Sequence, residues 1–129
     1  MNLLDENVAD SQLELLQRWG FAFHKIGYDV GRKGTKDDAI ISFLHSLRRP
    51  TFFTRDLGFY KRTLVHAHYG LVVLDIKKYE VAEYSRRVLR HPAFNTEAKR
   101  MGTVIRAAPD GLTVWRLHAE HAEEIAWTK

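Results

Sequence analysis

The chain has 129 residues, 45% of them hydrophobic and none of them cysteine, which suits one domain with a hydrophobic core and excludes thiol nucleophiles, cysteine-ligated zinc and disulfide bonds. Its net charge of +4 at pH 7 makes it moderately basic but not an obvious nucleic-acid binder. No apolar run is long enough to cross a bilayer and the start does not resemble a signal peptide, so we expect a single cytoplasmic domain over residues 1–129, away from membranes.

The first predicted element is a short apolar strand that ends in acids. Leu3 and Leu4 are followed directly by Asp5, Glu6 and Asn7. In open α/β sheets, ligands bind at the carboxyl ends of the strands. The carboxylates at this strand end are therefore candidates for a functional site.

A β-α-β arrangement is predicted next. Apolar residues between Val8 and Trp19 recur at helical spacing, and Gly20 is typical of a helix end. Residues 21–24 then have the pattern of a short strand. Two strands separated by a helix favour a parallel sheet.

A glycine-bearing loop and a second helix follow. Residues 28–36 are polar and basic and include glycines that let a loop approach a ligand closely. The helix is predicted to begin near residues 35–38, with Asp37 and Asp38 in its first turn. Acids in a first turn are favoured by the helix dipole and can serve as caps. One of the two is also a candidate ligand.

Two further strands and a helix are predicted in the middle of the chain. Residues 51–54 form a buried strand that ends at Arg55 and Asp56, and a tight turn follows. Residues 70–74 are continuously apolar, as in a sheet covered on both faces, and Asp75 closes that strand. A helix over residues 81–89 is expected to end before the next proline.

The last part of the chain predicts a β-hairpin and a surface tail. Residues 103–106 and 112–116 have strand patterns, and a turn at residues 109–111 joins them. The tail after His118 is predicted to be helical and mostly exposed. Together these elements predict one α/β domain with a mostly parallel sheet and a C-terminal hairpin.

Carboxylates from three distant segments are thus expected at one edge of the sheet. They are Asp5, Asp56 and one of the Asp37 and Asp38 pair. Grouped carboxylates repel one another unless a cation compensates, and hard oxygen ligands favour Mg²⁺ or Mn²⁺. Five basic doublets are spread along the chain, and an acidic metal site amid basic groups suits attack of water on a phosphodiester.

Two other interpretations remain open at this point. His66 and His68, or His118 and His121, have spacings that suit zinc, but neither pair has an evident third ligand, so we interpret them as surface or core histidines. Residues 71–77 read like the strand that carries the phosphorylated aspartate of a receiver domain. Asp75 is, however, farther from the first acids than that fold requires, and no Met-Pro pair follows it.

The chain resembles the PIN-like ribonucleases that act as toxins in bacterial and archaeal toxin–antitoxin pairs. The resemblance lies in residues 3–7 (LLDEN), 34–40 (GTKDDAI) and 53–56 (FTRD), in that order and at similar separations. It extends over most of the chain, since the later strand, helix and hairpin also have counterparts. It implies a PIN-like α/β/α sandwich that cleaves RNA with Mg²⁺ or Mn²⁺.

The resemblance also implies roles for particular acids. Asp5, Asp37 and Asp56 correspond to the metal ligands, and Glu6 or Asp38 would assist them. The turn after Asp56 lacks the second aspartate often seen in the family. The number of metal ions is therefore left open.

Substrate and partners follow from the same resemblance. Thr54 and Arg55 would support the site or touch phosphate, while Arg32 and Lys33, just before the second acidic pair, are expected to add to a basic rim. The expected partners are RNA and a cognate antitoxin protein, and a homo-oligomer is compatible with the sequence. The alternative is a catalytically weak module of the same fold that binds RNA or protein.

Overall fold

The computed structural model describes residues 1–27 and 37–127. Within these ranges seven strands form one sheet, and helices flank it. The strands are β1 (Asn2–Leu4), β2 (Phe23–Lys25), β3 (Thr51–Thr54), β4 (Gly70–Leu74), β5 (Thr103–Ala108), β6 (Gly111–Arg116) and β7 (Glu123–Ile125). The helices are α1 (Asp10–Arg18), α2 (Asp37–His45), α3 (Val81–Arg90) and α4 (Glu97–Arg100).

The sheet is mixed, and most of its strand pairs are parallel. Its strands lie in the order β2-β1-β3-β4-β5-β6-β7, and every neighbouring pair from β2 to β5 is parallel. The pairs β5–β6 and β6–β7 are antiparallel. The α/β class and the mostly parallel sheet predicted from the sequence are confirmed. The carboxyl ends of β1 to β5 meet at one edge, which we call the carboxyl edge.

Helices cover both faces of this sheet. Leu4 belongs to a buried cluster that includes Leu16 of α1 and Val88 of α3. Its neighbour Leu3 belongs to a second cluster, with Leu44 of α2. Because side chains alternate in direction along a strand, α1 and α3 cover one face and α2 covers the other. All five residues of β4 are buried between them, as the continuous apolar run predicts.

Helix α3 separates apolar from basic side chains. Val81, Tyr84 and Val88 recur at the spacing of one helical face and are buried against the sheet. Arg87 and Arg90 lie at more accessible positions of the same helix. Within the described part of the chain, no helix is long and apolar enough to cross a membrane.

The end of α1 corrects one predicted boundary. Gly20 has a φ of +91°, a left-handed conformation that suits glycine. Its N–H donates to the carbonyl of Gln17, and the N–H of Phe21 donates to the carbonyl of Leu16, both at 3.0 Å. Phe21 therefore completes the helix end, and the strand predicted from that residue begins two residues later, at β2.

The tail after His118 forms a strand, so the predicted helix is wrong. Strand β7 pairs antiparallel with β6, and Ile125 lies opposite Leu112. Just beyond it, the indole N–H of Trp127 donates to the carbonyl of Ala108 at 2.6 Å. Strand β6 would otherwise present an unpaired edge, and pairing of its backbone groups outweighs the weak helical pattern of the tail.

Candidate acidic site

Asp5 and Asp56 leave neighbouring strands at the carboxyl edge. Strands β1 and β3 are parallel, with Leu4 opposite Phe53, and the N–H of Asp5 continues the pairing by donating to the carbonyl of Phe53 at 3.0 Å. Thr54 connects the two acids. Its hydroxyl donates to Oδ2 of Asp5 at 2.6 Å and accepts from the backbone N–H of Asp56 at 3.0 Å.

Asp5 is almost completely buried. Only 8% of its surface is exposed, and each of its carboxylate oxygens has a donor. Oδ2 accepts from Thr54, and Oδ1 accepts from the backbone N–H of Asn7 at 3.3 Å. A buried carboxylate is costly without such donors, so these contacts keep the acid at the strand end.

Asp56 is exposed and begins a short 3₁₀ turn, Leu57–Phe59. Its Oδ1 accepts from the N–H of Gly58 at 2.8 Å, so part of its role is to cap this turn. A Cβ atom on Gly58 would lie 3.0 Å from the same oxygen. Among the described residues, Oδ2 of Asp56 has no hydrogen-bond partner, which leaves it available to a ligand.

Asp37 and Asp38 are exposed in the first turn of α2. The carboxyl group of Asp37 is still slightly buried, and this loss of solvation is the main cause that raises its pKa. The negative charges of Asp56, Asp5 and Asp38 raise the pKa further. The positive charge of Lys61 opposes this rise. Acids from the ends of β1 and β3 and from the start of α2 therefore lie within electrostatic reach of one another.

The remaining predicted site residues lie close by or outside the described ranges. Thr54 is fully buried, so its contacts fit the supporting role and leave no surface for a phosphate. Arg55 is exposed, and its Nε donates to the carbonyl of Ile76 at 3.2 Å, which joins the loops after β3 and β4. Glu6 is half-buried beside Asp5. Arg32 and Lys33 lie outside the described residues.

The carboxylates do not form a closed metal centre in their present conformations. Across residues 1–27 and 37–127, no three His, Asp or Glu side chains are close enough to share an ion. The chemistry of the donors nevertheless fits Mg²⁺ or Mn²⁺, because the grouped side chains offer hard oxygen ligands and repel one another.

An ion pair at the carboxyl edge was not predicted from the sequence. Asp75, which follows β4, pairs through Oδ2 with an Nη of Arg106 at 2.5 Å. Burial raises the pKa of Tyr60, and the positive charge of Arg106 opposes this rise. The signal in the sequence was an arginine interrupting the otherwise apolar β5. Lys61 belongs to the basic doublet Lys61-Arg62 in the sequence. Only the fold places its charge close enough to act on Asp37.

A third histidine, His45, lies beside His66 and His68, which the sequence did not reveal. The ring of His45 lies 4.4 Å from that of His66 and 5.7 Å from that of His68, measured between centroids. Nδ1 of His66 accepts from the N–H of His68 at 3.0 Å, and Nε2 of His68 contacts the carbonyl of Leu47 at 2.7 Å. These bonds hold the segment before β4 against the end of α2.

Comparison with known proteins does not place this geometry in a family. No protein-family model matches the chain, and no match is found among curated proteins or among solved structures.

Proposed function

We propose that the chain is a ribonuclease that depends on Mg²⁺ or Mn²⁺ and has a PIN-like α/β/α sandwich. The observation that supports this most is the Thr54 hydroxyl, which joins Asp5 to the segment that carries Asp56. Thr54 and Asp5 are 49 residues apart in the chain, yet they meet where ligands bind in open α/β sheets.

Asp5, Asp37 and Asp56 are the residues that would hold the ion, with Glu6 or Asp38 assisting. When bound, the ion would polarise the phosphodiester and lower the pKa of a coordinated water molecule. The negative charges of Asp56, Asp5 and Asp38 add to the rise that burial causes in the pKa of Asp37, and a bound cation would offset those charges.

The surrounding residues would orient the carboxylates and attract the substrate. Thr54 holds Asp5 in one orientation through a charge-assisted hydrogen bond. Arg55 and Lys61 are exposed beside the acids and would draw an RNA phosphate toward them. The motif resemblance supplies RNA as the substrate and the role of a toxin that a cognate antitoxin protein restrains. The cytoplasmic location comes from the composition of the chain.

The test is cleavage of end-labelled single-stranded RNA by the purified chain. We expect cleavage with Mg²⁺ or Mn²⁺, none with chelator, and its loss in Asp5→Asn and Asp56→Asn. An amide preserves the shape of each side chain but removes the charge that a cation needs. Glu14→Gln, on the exposed face of α1, is the matched control and should cleave like the wild type.

Thermal melting in the same buffers separates loss of the site from loss of the fold. Mg²⁺ at about one hundred times its dissociation constant would add about 2.7 kcal/mol to the stability of the wild type. The Asp5→Asn variant should not gain this increment. Cleavage that survives in Asp5→Asn, or a wild type that neither cleaves nor gains stability, would refute the proposal.

A second candidate is a module of the same fold that binds RNA without cutting it. It is favoured by the open arrangement of the acids, since no three of the described His, Asp or Glu side chains are positioned to share an ion. Saturable RNA binding without cleavage, unchanged by chelator and by Asp5→Asn, would identify this function.

A further inference from the structure

A groove lies on the face of the sheet that α1 and α3 cover, between α3 and the segment that follows β7. It encloses about 990 Å³. Its apolar walls include Ala93, Ile125 and Trp127, and its charged rim includes Arg87 and Arg90. None of the acids proposed above for catalysis lines it.

Ala126 and Trp127, which form one wall of the groove, are anchored to α3 and to the end of β5. Nε2 of His91, at the end of α3, contacts the carbonyl of Ala126 at 2.8 Å. The indole N–H of Trp127 donates to the carbonyl of Ala108 at 2.6 Å, and its ring meets that of Tyr84 edge-on with 5.7 Å between centroids. The groove is therefore part of the packed fold.

The arginines at the rim are oriented but not neutralised. The guanidinium of Arg87 lies 4.4 Å from the ring centroid of Trp127, and that of Arg90 lies 5.5 Å from the ring of Phe21. The one acid in the lining, Glu83, is paired with Arg86 at 2.5 Å. Within the described ranges no acid pairs with Arg87 or Arg90, so the groove carries an uncompensated positive charge.

The stacking of Arg87 leaves little aromatic surface in the groove for the bases of single-stranded RNA. Such RNA binds proteins by stacking its bases on exposed aromatic faces. Here the guanidinium of Arg87 already lies over the ring of Trp127 in the lining of the groove. What remains is an apolar floor with a cationic rim, which suits apolar side chains flanked by carboxylates.

We propose that this groove binds an amphipathic, acidic segment of a partner protein. The apolar side chains of the partner segment lie against Ala93, Ile125 and Trp127 of the groove. The carboxylates of the segment pair with Arg87 and Arg90. These two arginines are three residues apart on α3 and so lie on neighbouring turns of one face. Two acids at a three- or four-residue spacing on a helical segment match them.

The test begins with selection of short random peptides, displayed on phage, against the full chain. We expect the selected peptides to combine Asp or Glu at helical spacing with Leu, Ile or Phe. A synthetic peptide of that sequence should shift the indole N–H resonance of Trp127 in an NMR titration. Arg87→Ala/Arg90→Ala should weaken its binding about tenfold or more, since a charge pair in a partly desolvated groove is lost.

Three controls keep the outcome clear. Lys77→Ala/Lys78→Ala removes the same charge from another surface and should bind normally. Arg90→Glu reverses one exposed charge without touching the Trp127 stack, so it tests the rim even if the double variant melts early. Asp5→Asn should bind the peptide like the wild type, which separates this inference from the proposed nuclease.

Several results would overturn the inference. They are selected peptides without acids, no binder from the selection, equal binding by Arg90→Glu, and no shift of the Trp127 indole. A larger indole shift with a single-stranded oligonucleotide than with the peptide would assign the groove to RNA instead.

Discussion

Asp5 depends on a single hydroxyl for its closest contact. Its Oδ2 accepts from Thr54 at 2.6 Å, whereas the contact of its other oxygen with Asn7 is longer, at 3.3 Å. Because the acid is nearly buried, water cannot easily replace the Thr54 hydroxyl. The proposed ligand and its neighbour therefore form one unit.

Thr54→Val tests this unit, since valine keeps the shape of threonine but has no hydroxyl. Oδ2 of Asp5 would lose its donor, and we expect the free energy of unfolding to fall by about 1 to 3 kcal/mol at neutral pH. Chemical denaturation measures the change, and RNA cleavage should fall with it. Thr54→Ser should retain most of the stability, and Thr113→Val on β6 is the matched control. Equal stability of Thr54→Val and the wild type would contradict the role given to the hydroxyl.

The pKa of Asp37 reports whether the acids face one another. After burial, the charge of Asp56 is its largest cause of elevation. We expect Asp56→Asn to lower the pKa of Asp37 toward its ordinary value of 3.8, as measured by NMR titration of the carboxyl group without divalent ions. Asp110→Asn, in the turn between β5 and β6, should leave it unchanged. If the pKa of Asp37 were the same in Asp56→Asn and in the wild type, the two acids would not lie close together.

The same elevation gives a pH dependence to the stability of the metal-free protein. Asp37 binds its proton more tightly when the chain is folded, so its ionisation opposes folding. Its contribution is fully present below 3.8 and is lost as the pH rises through the raised pKa.

Asp37→Asn cannot ionise, so its stability relative to the wild type should rise over that interval. The side chain is exposed and screened by solvent, which limits the gain to a few tenths of a kcal/mol. Thermal melts from about pH 3 to about pH 7 measure the difference between the two proteins. A gap that stays constant across this range would contradict the prediction.

At the scale of elements, β4 begins against the backbone of α4. A Cβ atom on Gly70 would lie 2.5 Å from the carbonyl oxygen of Arg100. Arg100 cannot easily retreat, because its buried side chain donates to the hydroxyl of Thr51 at 3.0 Å and to the carbonyl of Phe94 at 2.8 Å. The start of the central strand therefore has room only for glycine.

Two glycine substitutions separate steric from conformational requirements. Gly70→Ala should cost about 3 kcal/mol, because backbone must move to relieve the overlap. Gly20→Ala should cost only about 1 kcal/mol, since its strain comes from the positive φ and no atom lies within 4 Å of the added carbon. Denaturant midpoints at matched slopes give both values. A larger loss for Gly20→Ala would reverse this assignment.

The elements differ in how well local sequence predicts them. The continuous apolar run of β4 and the proline after His91 marked a central strand and the end of α3 correctly. The tail did not follow its local pattern, because its conformation depends on backbone pairing with the open edge of β6. A pattern within one segment does not show which strand that segment will pair with, so it does not predict a strand such as β7.

At the scale of the whole molecule, strand ends were a sound guide to which acids approach one another. Asp5 and Asp56 were predicted at one edge because each follows a buried apolar run, and parallel pairing of β1 and β3 brings them there. The Thr54 bridge, the approach of Lys61 to Asp37 and the Asp75–Arg106 pair could not be predicted. They depend on side-chain distances that only the assembled sheet sets.

The outermost strands, β2 and β7, also limit how copies of this protein aggregate. Each is three residues long, and β7 carries the exposed charged side chains of Glu123 and Glu124. Short, charged outer strands are poor templates for continuing a sheet into a neighbouring molecule. Pairing of two copies edge to edge through these strands is therefore disfavoured at high concentration.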